Sequence, residues 1–452
     1  MSKLIKIDKL VFGGAGLGFL NNKPVFVSKS VPGDELKIEI IKDKKDYSEG
    51  VIKNIVAPSL KRINPPCPYF YQCGGCDHQN ISYPDQLKFK QEIFKEVLNR
   101  AHLSYYSSDT SQPKKVSNNT IVEPIIAGSD DFLYYRNSIR FFFIHKENGN
   151  IAFGRSDFIN PAKLIEIDSC LLQSKTANQV IQELEKYFNG NVANKKTLWQ
   201  LKIRQGKYTN EFMVEIITTA EELPGKEGIV SILKNITGVK SIYHTVTPAK
   251  SLRNLRRYLL FGSLLIHEKI GRYIFQISPE SFFQTNSLGI KTLYDTIKKY
   301  AEIKMGDSLL DLYCGTGSIG IYLSTFANKV TGVESVPEAI RDANDNAKLN
   351  KIHNIEFICS DISKLNNLTI QQFKNQIIIL DPPRAGLNND IIQWLSKLNF
   401  KRLIYVSCNP ATFARDIKLF ENYGLKLIKV QPIDMFPQTH HLEVVGQLYR
   451  IN

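Results

Sequence analysis

The sequence predicts an α/β protein: a doubly wound sheet in the C-terminal part, preceded by a small N-terminal β-barrel and an α+β middle domain. Three observations carry this. From about residue 284, short apolar runs (SLLDLY, KVTGVE, IEFICS, QIIILD, RLIYVSC) alternate with helix-length segments, and each run ends in a polar or Gly-rich turn, as parallel strands joined by crossover helices do. Residues 1 to 60 instead give five short strands, separated by Gly13-Gly14, Asn21-Asn22 and Pro32-Gly33-Asp34, a pattern of little barrels of the oligonucleotide-binding kind. Between 121 and 270 the runs IRFFFIH, NIAFGR, LWQLKIRQ, FMVEIITT and KSIYHTV accompany one helical stretch near 174 to 188. The expected divisions are therefore 1–60, 61–270 and 271–452.

The 452 residues carry 58 Lys and Arg against 44 Asp and Glu, a formal net charge of +14. Such a surplus attracts polyanions, with nucleic acid or an anionic membrane surface as partner, unless it only reflects a Lys-rich lineage. No apolar run approaches the roughly 18 residues of a membrane span, and the N-terminus MSKLIKIDKL lacks the apolar core of a signal peptide. A cytoplasmic protein, without membrane association and monomeric, is expected. Seven cysteines, an odd number, argue for metal ligation or catalysis and against a disulfide framework.

After the N-terminal module, Asn64-Pro65-Pro66-Cys67-Pro68 breaks regular structure, and Cys67, Cys73 and Cys76 follow within ten residues. The stretch 84 to 102 has Leu87, Ile93, Phe94, Val97 and Leu98 near helical spacing, so an amphipathic helix is expected, its lysines forming a solvated face. The polar run 107 to 119 reads as a flexible excursion.

In the C-terminal part the ligand end of the sheet should carry the chemistry. Asp311-Leu-Tyr-Cys-Gly315-Thr-Gly317 follows a strand and precedes a helix, and Glu334 closes the next strand, placed to accept the hydroxyls of a ribose. The run GTGSIG fits the dinucleotide fingerprint only weakly, and an acidic residue opening the loop resembles the S-adenosylmethionine site of Rossmann-like methyltransferases. Asp361 is either an adenine contact or an ordinary turn residue. Asp381-Pro-Pro-Arg384 ends a further apolar strand, where the two prolines stiffen the turn. Cys408 ends the next, and a thiol there needs a positive neighbour or a proton acceptor to act as a nucleophile. Glu443 precedes the last strand and reaches the same cleft. His440 and His441 read as surface or packing residues, with a base or phosphate contact as the alternative.

A thiol and a carboxylate across one ring suit methylation of uracil at C5. Thiolate addition at C6 makes C5 nucleophilic, and a carboxylate then removes the C5 proton. With an ordinary pKa of about 4.3, Glu443 is expected to be ionised at neutral pH.

The segments SFFQTN (281–286), DLYCGTG (311–317), GVE (332–334), DPPRAGL (381–387), VSCNPATFARD (406–416) and DMFPQTHHLE (434–443) together resemble the RNA uracil-5-methyltransferases. Within that family the chain is similar to the bacterial 23S ribosomal RNA enzymes with a TRAM domain and an iron-sulfur cluster. The resemblance implies Cys408 as nucleophile, Glu443 as general base, and Gln284, Tyr313, Glu334 and Asp381 as S-adenosylmethionine contacts. Ser318 departs from the Asn common in the family. It implies 5-methyluridine in 23S ribosomal RNA as product, with the T loop of transfer RNA as the rival substrate and a non-catalytic RNA-binding assembly factor as the rival class. It also supplies Cys170 as fourth ligand beside Cys67, Cys73 and Cys76 for a [4Fe-4S] cluster. Four thiolates on their own suit zinc equally. Cys314 and Cys359 remain as packing residues.

Overall fold

The alternating apolar residues of the N-terminal segment form one six-stranded sheet in the computed structural model, which describes residues 3–107, 120–248, 250–251, 255–365 and 376–451. The polar stretch expected as an excursion lies, from residue 108 to 119, outside the described residues. In the first sheet the spatial order is Lys3–Lys6, Glu35–Asp43, Ser48–Ala57, Lys23–Val27, Gly16–Leu20, Lys9–Leu10. Ile5, Val25, Val27, Leu36 and Ile38 point into its core. There are six strands and not five because IKIDKLVF changes partner midway: Ile7 N–H donates to the Asp34 carbonyl, and Asp8 N–H to that of Leu17 on another strand.

The helix Tyr83–Arg100 begins where Ser82 accepts from the Asp85 N–H and Pro84 occupies the first turn, both N-terminal signals. Phe94 and Leu98 are buried. The expectation that its lysines form a solvated face fails at Lys90. That residue lies one turn before Phe94 on the same line of the helix and is 1% exposed.

The middle sheet has seven strands in the order Leu164–Glu166, Ile151–Ser156, Ser138–His145, Leu198–Gly206, Glu211–Thr218, Val239–Val246, Arg256–Gly262. Helices Lys175–Asn191 and Lys226–Leu233 pack into its core through Ile181, Leu184, Phe188, Ile229 and Leu233.

The C-terminal sheet runs Ile355–Cys359, Lys329–Glu334, Ser308–Leu312, Gln376–Leu380, Arg402–Ser407, all parallel. Glu443–Arg450 then follows antiparallel, and Leu425–Asp434 antiparallel to that. The runs 377–380 and 403–406 in the central strands are apolar and buried because both faces are covered. Ile378, Leu380, Leu403 and Tyr405 pack on one side, and Ile377, Ile379, Ile404 and Val406 on the other. The order reverses between Ser308–Leu312 and Gln376–Leu380, which makes their carboxyl ends the switch point where such sheets bind ligands. Short strands from far earlier in the chain, Thr120–Val122 and Tyr105–Ser107, extend the same sheet beyond Leu425–Asp434.

Candidate active site

Five strand ends meet at one edge. Leu312 pairs with Val333 and with Leu380, and Leu380 with Tyr405, so the turns that begin at Tyr313, Glu334, Asp381 and Cys408 emerge side by side. The last strand runs the other way, so its first residue, Glu443, lies at this edge too. Ser407 pairs with Val444.

Asp311 is the floor of the cleft. Its Oδ2 accepts from the Gly320 N–H at 3.0 Å while Oδ1 has no partner among the described residues, and burial beside Asp381 pushes the carboxyl up to about 8. Burial also pushes Asp381 up to about 7. Tyr313 holds a left-handed backbone (φ 62°), a conformation that costs a non-glycine residue on the order of 1 kcal/mol or more. Burial, with the charges of Asp361 and Glu334, pushes its phenol up to about 12. The Glu334 carboxylate closes the loop on itself: Oε1 accepts from the Ser335 and Val336 N–H groups at 2.7 and 3.0 Å, and Oε2 from Gly315 N–H at 3.3 Å. Oε2, with a single donor, keeps a lone pair for a ligand hydroxyl. Gln284 sits in the turn before helix Ser287–Ala301. Asn137, just before the middle-sheet strand Ser138–His145, fixes that turn, its Nδ2 donating to the Gln284 carbonyl at 2.7 Å and to Ser287 Oγ at 2.6 Å. Arg204 donates to the Ser281 carbonyl at 2.5 Å.

Cys408 precedes the helix Pro410–Asn422, which Asn409 caps by accepting from Ala411 N–H. Asn409 Nδ2 and Thr412 Oγ1 both donate to the Arg384 carbonyl at 3.2 Å, tying the Asp381 turn to the Cys408 turn. Burial and the Glu443 carboxylate push the Cys408 thiol up to about 11, while the Arg384 guanidinium opposes them. Arg384 is therefore the positive neighbour the thiol requires. Nothing in the local pattern DPPR marks Arg384 for this role, because its proximity to Cys408 depends on the neighbouring strand.

Glu443 departs from expectation. It is buried, and desolvation together with the nearby Asp381 raises its carboxyl well above the ordinary value of about 4.3 from which its ionisation was expected, so its proton is held more tightly than that of a solvated glutamate. Its Oε2 has no hydrogen-bond partner.

Asp361 accepts from the Ser363 N–H and caps a single 3-10 turn at the end of the strand Ile355–Cys359. Ser318 shares a 2.6 Å hydrogen bond with the Tyr294 hydroxyl. His440 pairs with Asp77 at 2.8 Å. Burial holds His441 down to about 4, and its Nε2 lies 3.4 Å from Arg384. Cys314 is buried as expected, but Cys359 is exposed because it ends the edge strand of the parallel array.

Cys67, Cys73, Cys76 and Cys170 line one pocket together with Arg136 and Arg155. Gln79 Nε2 donates to Cys76 Sγ at 3.1 Å and Gly75 N–H to Cys73 Sγ at 3.4 Å. Burial pushes Cys76 up to about 12. Among the described residues no three His, Cys, Asp or Glu side chains close on a single metal ion. The pocket adjoins the active-site loops, since the Asp77 and His78 N–H groups donate to the Gln438 carbonyl at 2.8 and 3.0 Å.

A Rossmann-like sheet with a reversed seventh strand, an acidic Gly-rich first loop and a thiol facing carboxyls at its ligand edge defines a methyltransferase, here preceded by a small β module. The chain belongs to the tRNA (uracil-5-)-methyltransferase family, whose model matches residues 120–450, and carries a TRAM domain at residues 3–53; it is an RNA-methylating enzyme. It is 38% identical to an uncharacterized RNA methyltransferase of Fusobacterium nucleatum, over 99% of this chain and 95% of the relative. It is also 35% identical to one of Halalkalibacterium halodurans, over 98% and 96%. Among solved structures, the Pyrococcus abyssi tRNA (uracil-54, C5)-methyltransferase in complex with S-adenosyl-L-homocysteine superposes with a TM-score of 0.75 at 28% identity, covering 99% of this chain and all of that one. No helix among the described residues is long and apolar enough to cross a membrane.

Proposed function

We propose that the protein methylates uracil C5 in 23S ribosomal RNA, with S-adenosylmethionine as donor and Cys408 and Glu443 as nucleophile and base. The observation that carries this reading is the meeting of Cys408, Glu443 and Asp381 at one sheet edge, beside the Asp311–Gly317 loop. Cys408 Sγ bonds to C6, its proton passing to a carboxylate of the cluster, and the ring electrons move toward C5. C5 takes the methyl group from the donor sulfur, which leaves as a thioether. Glu443 then accepts the C5 proton; the C–H electron pair restores the C5–C6 double bond, and Cys408 departs with the Sγ–C6 pair. The raised carboxyl pKa makes Glu443, once ionised, a stronger base toward the C5 proton, and a cationic donor bound nearby before transfer favours that ionised form. The S-adenosyl-L-homocysteine in the Pyrococcus enzyme supports the class of donor, and the strand ends around the Asp311–Gly317 loop support Gln284, Tyr313, Glu334 and Asp381 as the residues that would line its place.

The four-cysteine pocket fits a [4Fe-4S] cluster held by Cys67, Cys73, Cys76 and Cys170. Two guanidinium groups offset thiolate charge, and N–H donors reach two of the sulfurs. Zinc is the alternative. Such a cluster would brace the loop that meets Gln438 and lies outside the reaction.

Transfer RNA is the second reading of the substrate, favoured by the whole-length match to the Pyrococcus enzyme. The test is transfer of labelled methyl to unmodified 23S ribosomal RNA and, in parallel, to unmodified transfer RNA. Label in the former as 5-methyluridine is expected. Label only in the latter overturns the substrate and keeps the chemistry. Cys408→Ala should abolish transfer, and Glu443→Gln should accumulate a methylated RNA–protein adduct.

A further inference from the structure

Lys90 is the one lysine of helix Tyr83–Arg100 that is fully buried, and its ammonium spends all three of its N–H groups on a single loop. It donates to Asp434 Oδ1 at 2.7 Å, to the Phe436 carbonyl at 3.2 Å and to the His441 carbonyl at 3.0 Å. These acceptors span the connection between the strand that ends at Asp434 and the strand that begins at Glu443. One turn earlier on the same helix, Gln86 adds a reciprocal pair with Gln438: Gln86 Nε2 donates to its Oε1 at 2.9 Å, and Gln438 N–H donates to Gln86 Oε1 at 3.0 Å. The helix lies some 340 residues away in sequence, yet it holds both ends and the middle of the loop.

An ordinary surface loop does not need a desolvated charge at its centre, because burying an ammonium is costly unless paired and hydrogen-bonded. Backbone carbonyls of an eight-residue connection could face water instead. What the arrangement secures is the position of the residue immediately after the loop, and a shift of about 1 Å in a reacting group can cost on the order of 100-fold in rate.

We propose that Lys90 is a positioning residue for Glu443, fixing the loop from Asp434 to His441 so that the carboxyl meets the C5 proton. This rests on the reading of Glu443 as the base. The consequence is specific to one half of the reaction: without Lys90, Cys408 still adds and methyl transfer still occurs, but the adduct resolves slowly.

Removing the lysine alone strands a buried Asp434 carboxylate and endangers folding. The informative protein is Lys90→Met combined with Asp434→Asn, which neutralises the pair and removes the Lys90 donor from the His441 carbonyl and from the Phe436 carbonyl, the latter keeping its bonds from Thr439. Its melting midpoint, affinity for labelled S-adenosylmethionine, methyl transfer in one turnover and gel-stable methylated adduct are measured on whichever unmodified RNA the wild type methylates. Glu443→Gln is run beside it. A folded double variant that binds the donor normally, transfers methyl, and releases product on the order of 100-fold more slowly with adduct accumulating supports the proposal. Partial return of release with Lys90→Gln in the same background, where an amide again offers donors, supports it further. Adduct in Glu443→Gln but not in the double variant overturns the role of Lys90 alone. Adduct in neither overturns the assignment of Glu443, and the proposal with it. A double variant that does not fold, or that loses donor binding and methyl transfer together, marks Lys90 as structural and overturns the proposal.

Discussion

Ser407 lies opposite Val444, on strands that run in opposite directions, and this pairing sets Cys408 and Glu443 at the same edge of the sheet. Were the last strand parallel, its first residue would sit at the far end, and the thiol would face no carboxyl from it. Reversal of one strand therefore builds the pair on which the chemistry depends.

The charges around Cys408 should be readable in its alkylation. Its thiol is held up at about 11 by burial and Glu443, with Arg384 pulling the other way. Reaction with iodoacetamide, followed at the Cys408 peptide by mass spectrometry, should keep rising well past the ordinary thiol pKa of about 8.5. Glu443→Gln should move the profile down in pH, and Arg384→Met should move it up. Three superimposable profiles would show that neither charge reaches the sulfur.

Asp381 should cost stability in exchange for function. Its folded-state carboxyl is raised to about 7, so between the unfolded value near 3.8 and that point the unfolded chain sheds its proton first. Stability from this group is full below the lower value and falls as pH rises through the window. Asp381→Asn lacks the loss, so its melting midpoint should exceed wild type by a margin that grows from acid to neutral pH and then levels. Turnover should fall sharply. A margin independent of pH would contradict the assigned ionisation.

Two glycines of the first loop should respond differently to alanine. Both have positive φ, 54° at Gly315 and 76° at Gly317, so each Cβ brings backbone strain of about 1–2 kcal/mol. A Cβ at Gly315 meets nothing within 4 Å, whereas one at Gly317 would lie 2.5 Å from the Phe357 ring. Gly317→Ala should lose the further ~1–3 kcal/mol of overpacking and melt markedly lower. Gly315→Ala should fold and instead weaken S-adenosylmethionine binding, measured by calorimetry.

For the cysteine pocket, protein prepared without oxygen is expected to hold iron and acid-labile sulfide, and Cys170→Ser should lose both while its affinity for S-adenosylmethionine stays near wild type. Zinc in place of iron and sulfide in the wild-type protein would select the alternative occupant.

Much was legible in sequence because it depends on local pattern. The apolar run QIIIL announces a strand covered on both faces, and DLYCGTG announces a tight strand-to-helix turn, since only glycines take the positive φ at 315 and 317 without strain. The same logic placed Cys408, Asp381 and Glu443 at strand ends, and motif resemblance added Gln284, whose turn is held by Asn137, 147 residues away in sequence, and has no local signature.

What sequence could not supply is everything set by contacts between distant segments. The raised carboxyl of Glu443 is not legible in sequence because an isolated Glu is an acid of about 4.3, and only the surrounding protein removes its water and sets Asp381 beside it. Lys90 read as solvated because lysine on an amphipathic helix usually is, though its spacing from Phe94 and Leu98 put it on the buried line; its partner Asp434 lies 344 residues on. By itself the sequence determined the strands, the turns and which chemical groups end them. The tertiary structure alone decided which of those groups are desolvated and which buried charges pair across the fold, because both depend on what the chain brings together and not on what lies next in it.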